Sequence, residues 1–312
     1  MQKKILITGA TGFIGQHLLE ELKGEDFSLR IISRSSSPQF WCSNMNFERC
    51  VADLSDLSSL EPVFEGIDIV VNLAAELNDE NKMFSTNTIG VQNIIELALK
   101  YGVQKIIQIS TESVVGVKYS RKTIVVDETF PCNPVNEYAR TKLQAEMLLS
   151  EAAINGNVTS IILRPTHVFG DYHPQNYILE LFKRIKSEIA IPRLKNTTVN
   201  YIYVKDVAHA IRFFLNNSIK SQVVNIADDL TFSDFLRIAS NALGVTCSVR
   251  NVPGFIFAVL EIFKYFGQEN IRARFQSVSN CVEYSNQFMK NIIGYKHGVE
   301  AGIRKTIDYY GL

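Results

Sequence analysis

The stretch ITGATGFIG, Ile7 to Gly15, constrains the fold more than any other part of the chain. An apolar run, KKILIT, leads into it and an amphipathic run, FIGQHLLEEL, leaves it, so Gly9, Gly12 and Gly15 lie between a strand and a helix. A glycine there permits a tight turn, a second lets backbone N–H groups approach a pyrophosphate, and a third lets helix and strand pack closely at the positive helix terminus. The spacing is G-x-x-G-x-x-G rather than G-x-G-x-x-G, so the flanking strand and helix give the motif its meaning.

Strand-like and helical runs then alternate: LRIIS, IDIVVNLAA, MFSTNTIGVQNIIELALKYG, KIIQIS, NEYARTKLQAE and SIILR. The short runs are continuous in Ile, Val and Leu, as in strands covered on both faces. Such βα repetition predicts an α/β fold with a parallel, doubly wound sheet. Beyond Arg164 the pattern loosens into a helix near NYILELFKRIKSEI, a strand VNYIYV, a helix DVAHAIRFFLNN, a strand VVNIA and a helix opened by the Thr231–Asp234 capping box. The tail reads as helical. With no low-complexity linker, the expected division is interleaved: 1–165 with about 203–228 as the sheet domain, and 166–202 with 229–312 as a smaller, mainly helical C-terminal substrate domain.

Lys+Arg and Asp+Glu both number 32 among 312 residues, so no net charge draws the chain to a phosphate backbone or an anionic bilayer. Nucleic acid is not an expected partner. Cys42, Cys50, Cys132, Cys247 and Cys281 show neither C-x-x-C pairs nor ligand spacing, which predicts a reduced, cytoplasmic protein without a structural metal. The N-terminal apolar run is too short for a signal peptide, and FIFAVLEIF, Phe255 to Phe263, falls short of a membrane span. That segment reads as a packed helix, as a lid over an apolar substrate or as a membrane-surface patch.

In order along the chain, TGATGFIG, ADLSD, VNLAAE, STNTIG, STESVVG, Tyr138-x-x-x-Lys142, LRPTHVFG and YIYVKDVA give a pattern that resembles the extended short-chain dehydrogenase/reductase family, the group of NAD-dependent epimerases and dehydratases. The resemblance runs from Lys4 to about Leu312. It implies a Rossmann-like fold and a dinucleotide held by Gly9, Thr11, Gly12, Phe13, Ile14 and Gly15. Asp53 would meet the adenine, Leu73, Ala74 and Ala75 would pass the middle of the cofactor, and Leu54 and Pro165 would also belong to its site. Asn87 would brace the sheet near the active site. Arg34 ends the second strand where NAD enzymes carry an acid; its guanidinium suits a 2′-phosphate, so the expectation leans to NADP over NAD.

Tyr138 and Lys142, four residues apart on one helix, share a face. A nearby ammonium and the charge of an oxidised nicotinamide would both favour the phenolate, making Tyr138 an acid/base near neutral pH, and by resemblance Lys142 would also hold the nicotinamide ribose. By resemblance, Thr111 would hydrogen-bond the reacting oxygen, with Ser110 the poorer candidate. Glu112 occupies the first acid of the dehydratase pair, but Ser113 stands where the second belongs; that disfavours simple dehydration and leaves Glu112 a lone base or a solvated strand-end carboxylate. Asn is usual where His167 stands, and an arginine usually precedes the V-x-D-V helix, where Val199 and Asn200 stand. His167 reads as a hydrogen-bond donor, a general acid or a structural group. Arg272 and Arg274 could restore phosphate binding from the tail. Tyr172, His173 and Gln175 could line a cleft, whereas His17, His209 and His297 read as packing or surface groups.

The leading reading is an NAD(P)-dependent oxidoreductase/epimerase acting on a secondary alcohol or ketone, most often a nucleotide sugar in this family. An NADPH-dependent reductase of an apolar carbonyl, like the hydroxysteroid and flavonol reductases, is the alternative. A non-catalytic dinucleotide-binding module is the second. The family also implies a homodimer through the helices around 82–101 and 136–155.

Overall fold

The structure, a computed structural model, describes residues 2–35, 46–117, 122–156, 158–173, 177–188, 191–193, 197–247, 249–251 and 281–312. The first half of the chain supplies strands β1 (Lys3–Thr8), β2 (Phe27–Ser33), β3 (Glu48–Val51), β4 (Ile69–Asn72), β5 (Lys105–Ile109) and β6 (Ile124–Val126). The second half supplies β7 (Thr159–Pro165), β8 (His167–Phe169), β9 (Ile191–Arg193), β10 (Thr198–Val199), β11 (Tyr201–Tyr203), β12 (Gln222–Ile226), β13 (Leu230–Thr231), β14 (Val249–Asn251) and β15 (Val282–Tyr284).

Seven of these form one parallel sheet in the order β12-β7-β5-β4-β1-β2-β3. The chain winds one way from β1 through β3 and the other way from β4 onward, so the strand order reverses between β1 and β4. In open α/β sheets the crevice at that reversal, beyond the carboxyl ends of the strands, is where ligands bind.

The helices are α1 (Phe13–Glu21), α2 (Leu57–Leu60), α3 (Glu80–Met83), α4 (Gly90–Tyr101), α5 (Glu137–Ile154), α6 (Tyr177–Lys186), α7 (Val204–Asn216), α8 (Phe232–Leu243) and α9 (Gly298–Tyr309). One face of the sheet packs Ile5, Ile7 and Ile31 against Leu18 and Leu19 of α1 and Ile211 and Phe214 of α7. The other packs Leu6, Val70 and Ile106 against Ile94 and Leu97 of α4 and Leu149 of α5. Both faces being covered, every residue of β4 and β5 is buried, so Ile and Val run consecutively in both strands and the polar Asn72, Lys105 and Gln108 are buried with them. A third core joins Phe169, Phe182, Phe232, Phe235 and Ile303 around the second half of the chain.

Three features depart from the sequence reading. The expected strand VNYIYV breaks at Asn200, with β10 pairing to β13 and β11 to β8. Asn200 makes the break, because its amide donates to Val282 O at 2.8 Å and its carbonyl accepts from His167 N at 3.0 Å. The tail is not wholly helical: Val282–Tyr284 pairs with β6, a three-residue contact that leaves no periodicity to read. The helix expected over MFSTNTIG is interrupted by a π turn at Phe84–Ile89, set by what Asn87 must reach.

Candidate active site

At the end of β1, Gly9 has φ +65°, and a Cβ there would lie 2.6 Å from Ala74 N; a Cβ on Gly15 would lie 2.3 Å from Gly9 O. These two positions require glycine because the β4 loop and the first turn of α1 close on the β1 turn. Gly12 N donates to Gly9 O at 2.9 Å, and α1 starts from Gly12 with no side chain capping its first N–H groups. The cradle therefore fits a pyrophosphate: it is open where an anion would sit and closed where a side chain would intrude.

Of the other expected cofactor positions, the Leu73–Ala75 segment lies beside Gly9. Thr11 is exposed and its carbonyl accepts from the Gln16 amide at 3.0 Å. Phe13 packs edge-on against His17 and His173, and Ile14 against the core. Ala74 N donates to Thr8 Oγ1 at 3.2 Å, which fixes the Leu73–Ala75 segment beside Gly9. Asp53 follows β3, its carboxylate turned back to Ser55 N at 2.9 Å; Leu54 lies buried against Gly90. Arg34 is exposed at the end of β2 and its charge helps hold the Glu76 carboxyl below its usual range, behind the hydrogen bonds Glu76 accepts from Asn78, Asp79 and Leu77 N. Pro165 is buried at the end of β7.

Asn87 joins the cofactor side to the catalytic helix. Its Oδ1 accepts from Glu76 N at 2.8 Å, and its Nδ2 donates to Glu76 O at 3.0 Å and to Thr141 Oγ1 at 3.1 Å. The π turn aims it there. Helix α5 itself begins at Asn136, whose Oδ1 accepts from Ala139 N at 2.8 Å.

Tyr138 and Lys142 occupy the first turns of α5. Lys142 is buried, and its Nζ donates to Ile109 O at 2.6 Å. Burial lowers its pKa to about 8, against the opposing charge of Glu146. Tyr138 is half-buried, and the balance of its surroundings differs from the sequence expectation: burial first and the Glu112 charge second push the phenol up, not down.

Thr111 caps the short turn Glu112–Val115, which follows β5 and rotates Glu112 inward. The Thr111 hydroxyl donates to Glu112 Oε2 at 2.9 Å and accepts from Ser113 N at 3.2 Å. Glu112 is only 9% exposed, so the solvated-carboxylate reading is overturned. His167 presents a mostly exposed ring with Nδ1 3.5 Å from Glu112 Oε1.

Several participants escaped the sequence reading. Thr8 Oγ1 donates to Asn72, Asn72 Nδ2 to Gln108 Oε1 at 2.7 Å, and Gln108 Nε2 to Ile109 O at 2.7 Å, a buried polar line from the glycine cradle to the acceptor of Lys142. Behind Lys142, Glu146 takes the hydroxyl of Ser110 and the guanidinium of Arg164, whose Nη2 lies 2.6 Å from Glu146 Oε2. The spacing Tyr138, Lys142, Glu146 was the available signal for Glu146. Tyr284 of β15 is pushed up by burial and then by Glu112. Arg272, Arg274, Gln175 and the Phe255–Phe263 segment lie outside the described residues. His17 contacts Asp171 O at 3.1 Å, His209 Glu21 at 3.4 Å and His297 Lys305 at 3.0 Å, all in packing roles.

A switch-point crevice with a glycine cradle on one side and a Thr-Tyr-Lys group on the other defines a dinucleotide-binding α/β protein of the short-chain dehydrogenase type. The chain belongs to the NAD dependent epimerase/dehydratase family, whose profile matches residues 5–227. It is 28% identical over 273 residues to dTDP-D-glucose 4,6-dehydratase of Dictyostelium discoideum, covering 78% of this chain and 62% of that protein. It is 27% identical over 213 residues to the decarboxylating sterol-4-alpha-carboxylate 3-dehydrogenase of Bos taurus, covering 66% of this chain and 58% of that protein. The chain thus spans about three fifths of the length of these curated relatives. UDP-glucose 4-epimerase of Thermus thermophilus, solved as a complex with NAD, has the same fold at a TM-score of 0.72 and 22% identity, with 99% of each chain covered. Among the described residues no helix is long and apolar enough to cross a membrane.

Proposed function

We propose that this protein is an NAD(P)-dependent oxidoreductase or epimerase acting on a secondary alcohol or ketone, with a nucleotide sugar as the leading substrate class. The reading is supported by Lys142 of α5 bonded to Ile109 O at the end of β5, by Thr111 following that strand, and by Tyr138 one turn before Lys142 within reach of the Glu112 charge, together with the glycine cradle after β1. When bound, the dinucleotide gives or takes the hydride. Residues 1–165 with 203–228 hold it and residues 166–202 with 229–312 enclose the substrate.

The Tyr138 and Thr111 hydroxyls flank the position of the reacting oxygen and serve the proton that leaves an alcohol or reaches a ketone there. Lys142 fixes the local charge and, with Asn87 bracing α5, keeps Tyr138 in place. Arg34, exposed beside the adenine end, supports NADP over NAD. The protein works in the cytoplasm, in keeping with the free thiols of Cys50 and Cys132.

One observation favours the apolar-carbonyl alternative. Tyr201 packs against His167 and Phe169, giving the substrate side an aromatic wall, and a sterol dehydrogenase is among the relatives. A screen of the protein loaded with NAD or NADP against UDP- and dTDP-sugars, secondary alcohols and sterols separates the two. Tyr138→Phe is expected to cut turnover about 100-fold or more while dinucleotide affinity stays within a few-fold. Unchanged turnover would remove the oxidoreductase reading and leave a binding module.

A further inference from the structure

Thr8, Asn72 and Gln108 stand in one row across the carboxyl ends of β1, β4 and β5, because the parallel register sets Thr8 beside Asn72 and Asn72 beside Gln108. Each lies two residues beyond Leu6, Val70 or Ile106, so the row is on the face that packs against α4 and α5. All three are 1% exposed, where no solvent serves a polar group that lacks a protein partner. Cohesion of the sheet does not call for such a row. One residue earlier, the opposite face carries Ile7, Val71 and Ile107 in the same register, and an apolar row holds those strands together at no polar cost.

The row has a single polarity. It begins at a backbone donor, since Ala74 N–H, beside Gly9 of the glycine cradle, gives to Thr8 Oγ1 at 3.2 Å. Thr8 passes its own hydrogen to Asn72 Oδ1, Asn72 Nδ2 gives to Gln108 Oε1 at 2.7 Å, and Gln108 Nε2 gives to Ile109 O at 2.7 Å. It ends at a backbone acceptor. Turning the Gln108 amide would set Oε1 against Ile109 O, and turning Asn72 would set Oδ1 against Gln108 Oε1, so both amides are locked. The terminal acceptor is also the anchor of Lys142: among the described residues Ile109 O is the hydrogen-bond acceptor of its buried Nζ, at 2.6 Å. A carbonyl has two lone pairs. Gln108 takes one and Lys142 the other, which fixes the tilt of the Ile109–Ser110 peptide between them.

From this geometry we propose that Gln108 is a positioning residue: through Ile109 O it sets the place of the Lys142 ammonium, and through Asn72 and Thr8 it ties that place to the glycine cradle. The inference rests on the dinucleotide reading above. It makes the cradle and the ammonium one rigid unit, in which a fully satisfied polar network holds two ends of the crevice in register. Gln108 itself reaches neither end; its effect is exerted through the shared carbonyl and through Asn72.

The test separates the two halves of a dinucleotide. Wild type, Gln108→Met, Lys142→Met and the double variant are titrated by calorimetry with NAD, with NADP and with ADP, which has a diphosphate for the cradle but no second ribose and no nicotinamide. Gln108→Met is expected to weaken NAD and NADP binding about 10-fold while ADP affinity stays within about twofold. In the Lys142→Met background it should weaken NAD binding no further, because both changes act through one ammonium. A purely structural role would lower ADP affinity in step. Equal losses for ADP and NAD, a Gln108→Met affinity for NAD within about twofold of wild type, or losses that multiply in the double variant would each overturn the inference. If Gln108→Met does not fold, Asn72→Leu combined with Gln108→Met removes both amides together, orphans neither, and carries the same measurement. A wild type that binds neither NAD nor NADP removes the dinucleotide reading and this inference with it, an outcome read before any variant is made.

Discussion

A buried ammonium destabilises the fold that holds it, and Lys142 shows this at the scale of one residue. Its pKa falls from the ordinary lysine value to about 8, chiefly through burial. Between roughly pH 8 and 10.5 the unfolded chain therefore binds a proton that the folded chain has released, so stability rises with pH across that window and the full penalty stands below it. Lys142→Met should remove the slope and stabilise the protein at pH 7 by up to about 3 kcal/mol, a gain of several degrees in Tm. The acceptor left behind is not orphaned, since Ile109 O also receives Gln108 Nε2 at 2.7 Å. Thermal unfolding of both proteins at pH 7 and pH 10 checks this. A Lys142→Met variant less stable than wild type at pH 7 would mean that Lys142 is held by compensating interactions, and the case for a residue kept at a cost for its chemistry would lapse.

Where α5 meets β7, a buried ion pair joins the two elements beside their apolar packing. Glu146 and Arg164 are both almost fully buried and bonded through two guanidinium nitrogens, with Ser110 closing the carboxylate from β5. Removing one partner leaves the other charged and dry, so Glu146→Ala should cost about 3–5 kcal/mol, whereas the double change Glu146→Leu, Arg164→Met should recover most of that loss. Denaturant midpoints for the three proteins measure it; equal losses in the single and double variants would refute the account. The same junction marks the limit of what the residues reveal in order. β1, the glycine turn, α5 and the Tyr138–Lys142 face were legible because period and turn chemistry are local. The π turn at Phe84–Ile89 and the β15–β6 pairing were not, since each is decided by a partner distant in sequence: Thr141 for Asn87 and Ile124 for Val282. Tyr138 shows the same dependence on distant partners: Lys142 is next to it in the helix, yet burial first and the Glu112 charge second push its phenol up.

For the whole molecule the open question is what covers the outer surface of α5. Its inner face carries Lys142, Glu146 and Leu149, while Met147 is 63% exposed and Ile154 84% exposed, two turns apart on the outer face. Phe84, at the π turn packed against α5, is 49% exposed. Single exposed apolar residues are ordinary, but a stripe along one helix and its neighbour is what association through that helix requires. We propose that α4 and α5 pair with the same helices of a second copy across a twofold axis, the self-complementary geometry of most homodimers. The double variant Met147→Glu, Ile154→Glu should then run at half the wild-type mass in light scattering at about 10 µM chain. Far-UV circular dichroism should be unchanged. Because the inner face of the same helix holds Lys142 against β5, loss of the partner should also lower Tm, loosening the first turns of α5 without touching any group in them. A wild type that is monomeric at that concentration, or a variant that stays dimeric, would assign this stripe to the ordinary apolar share of a protein surface.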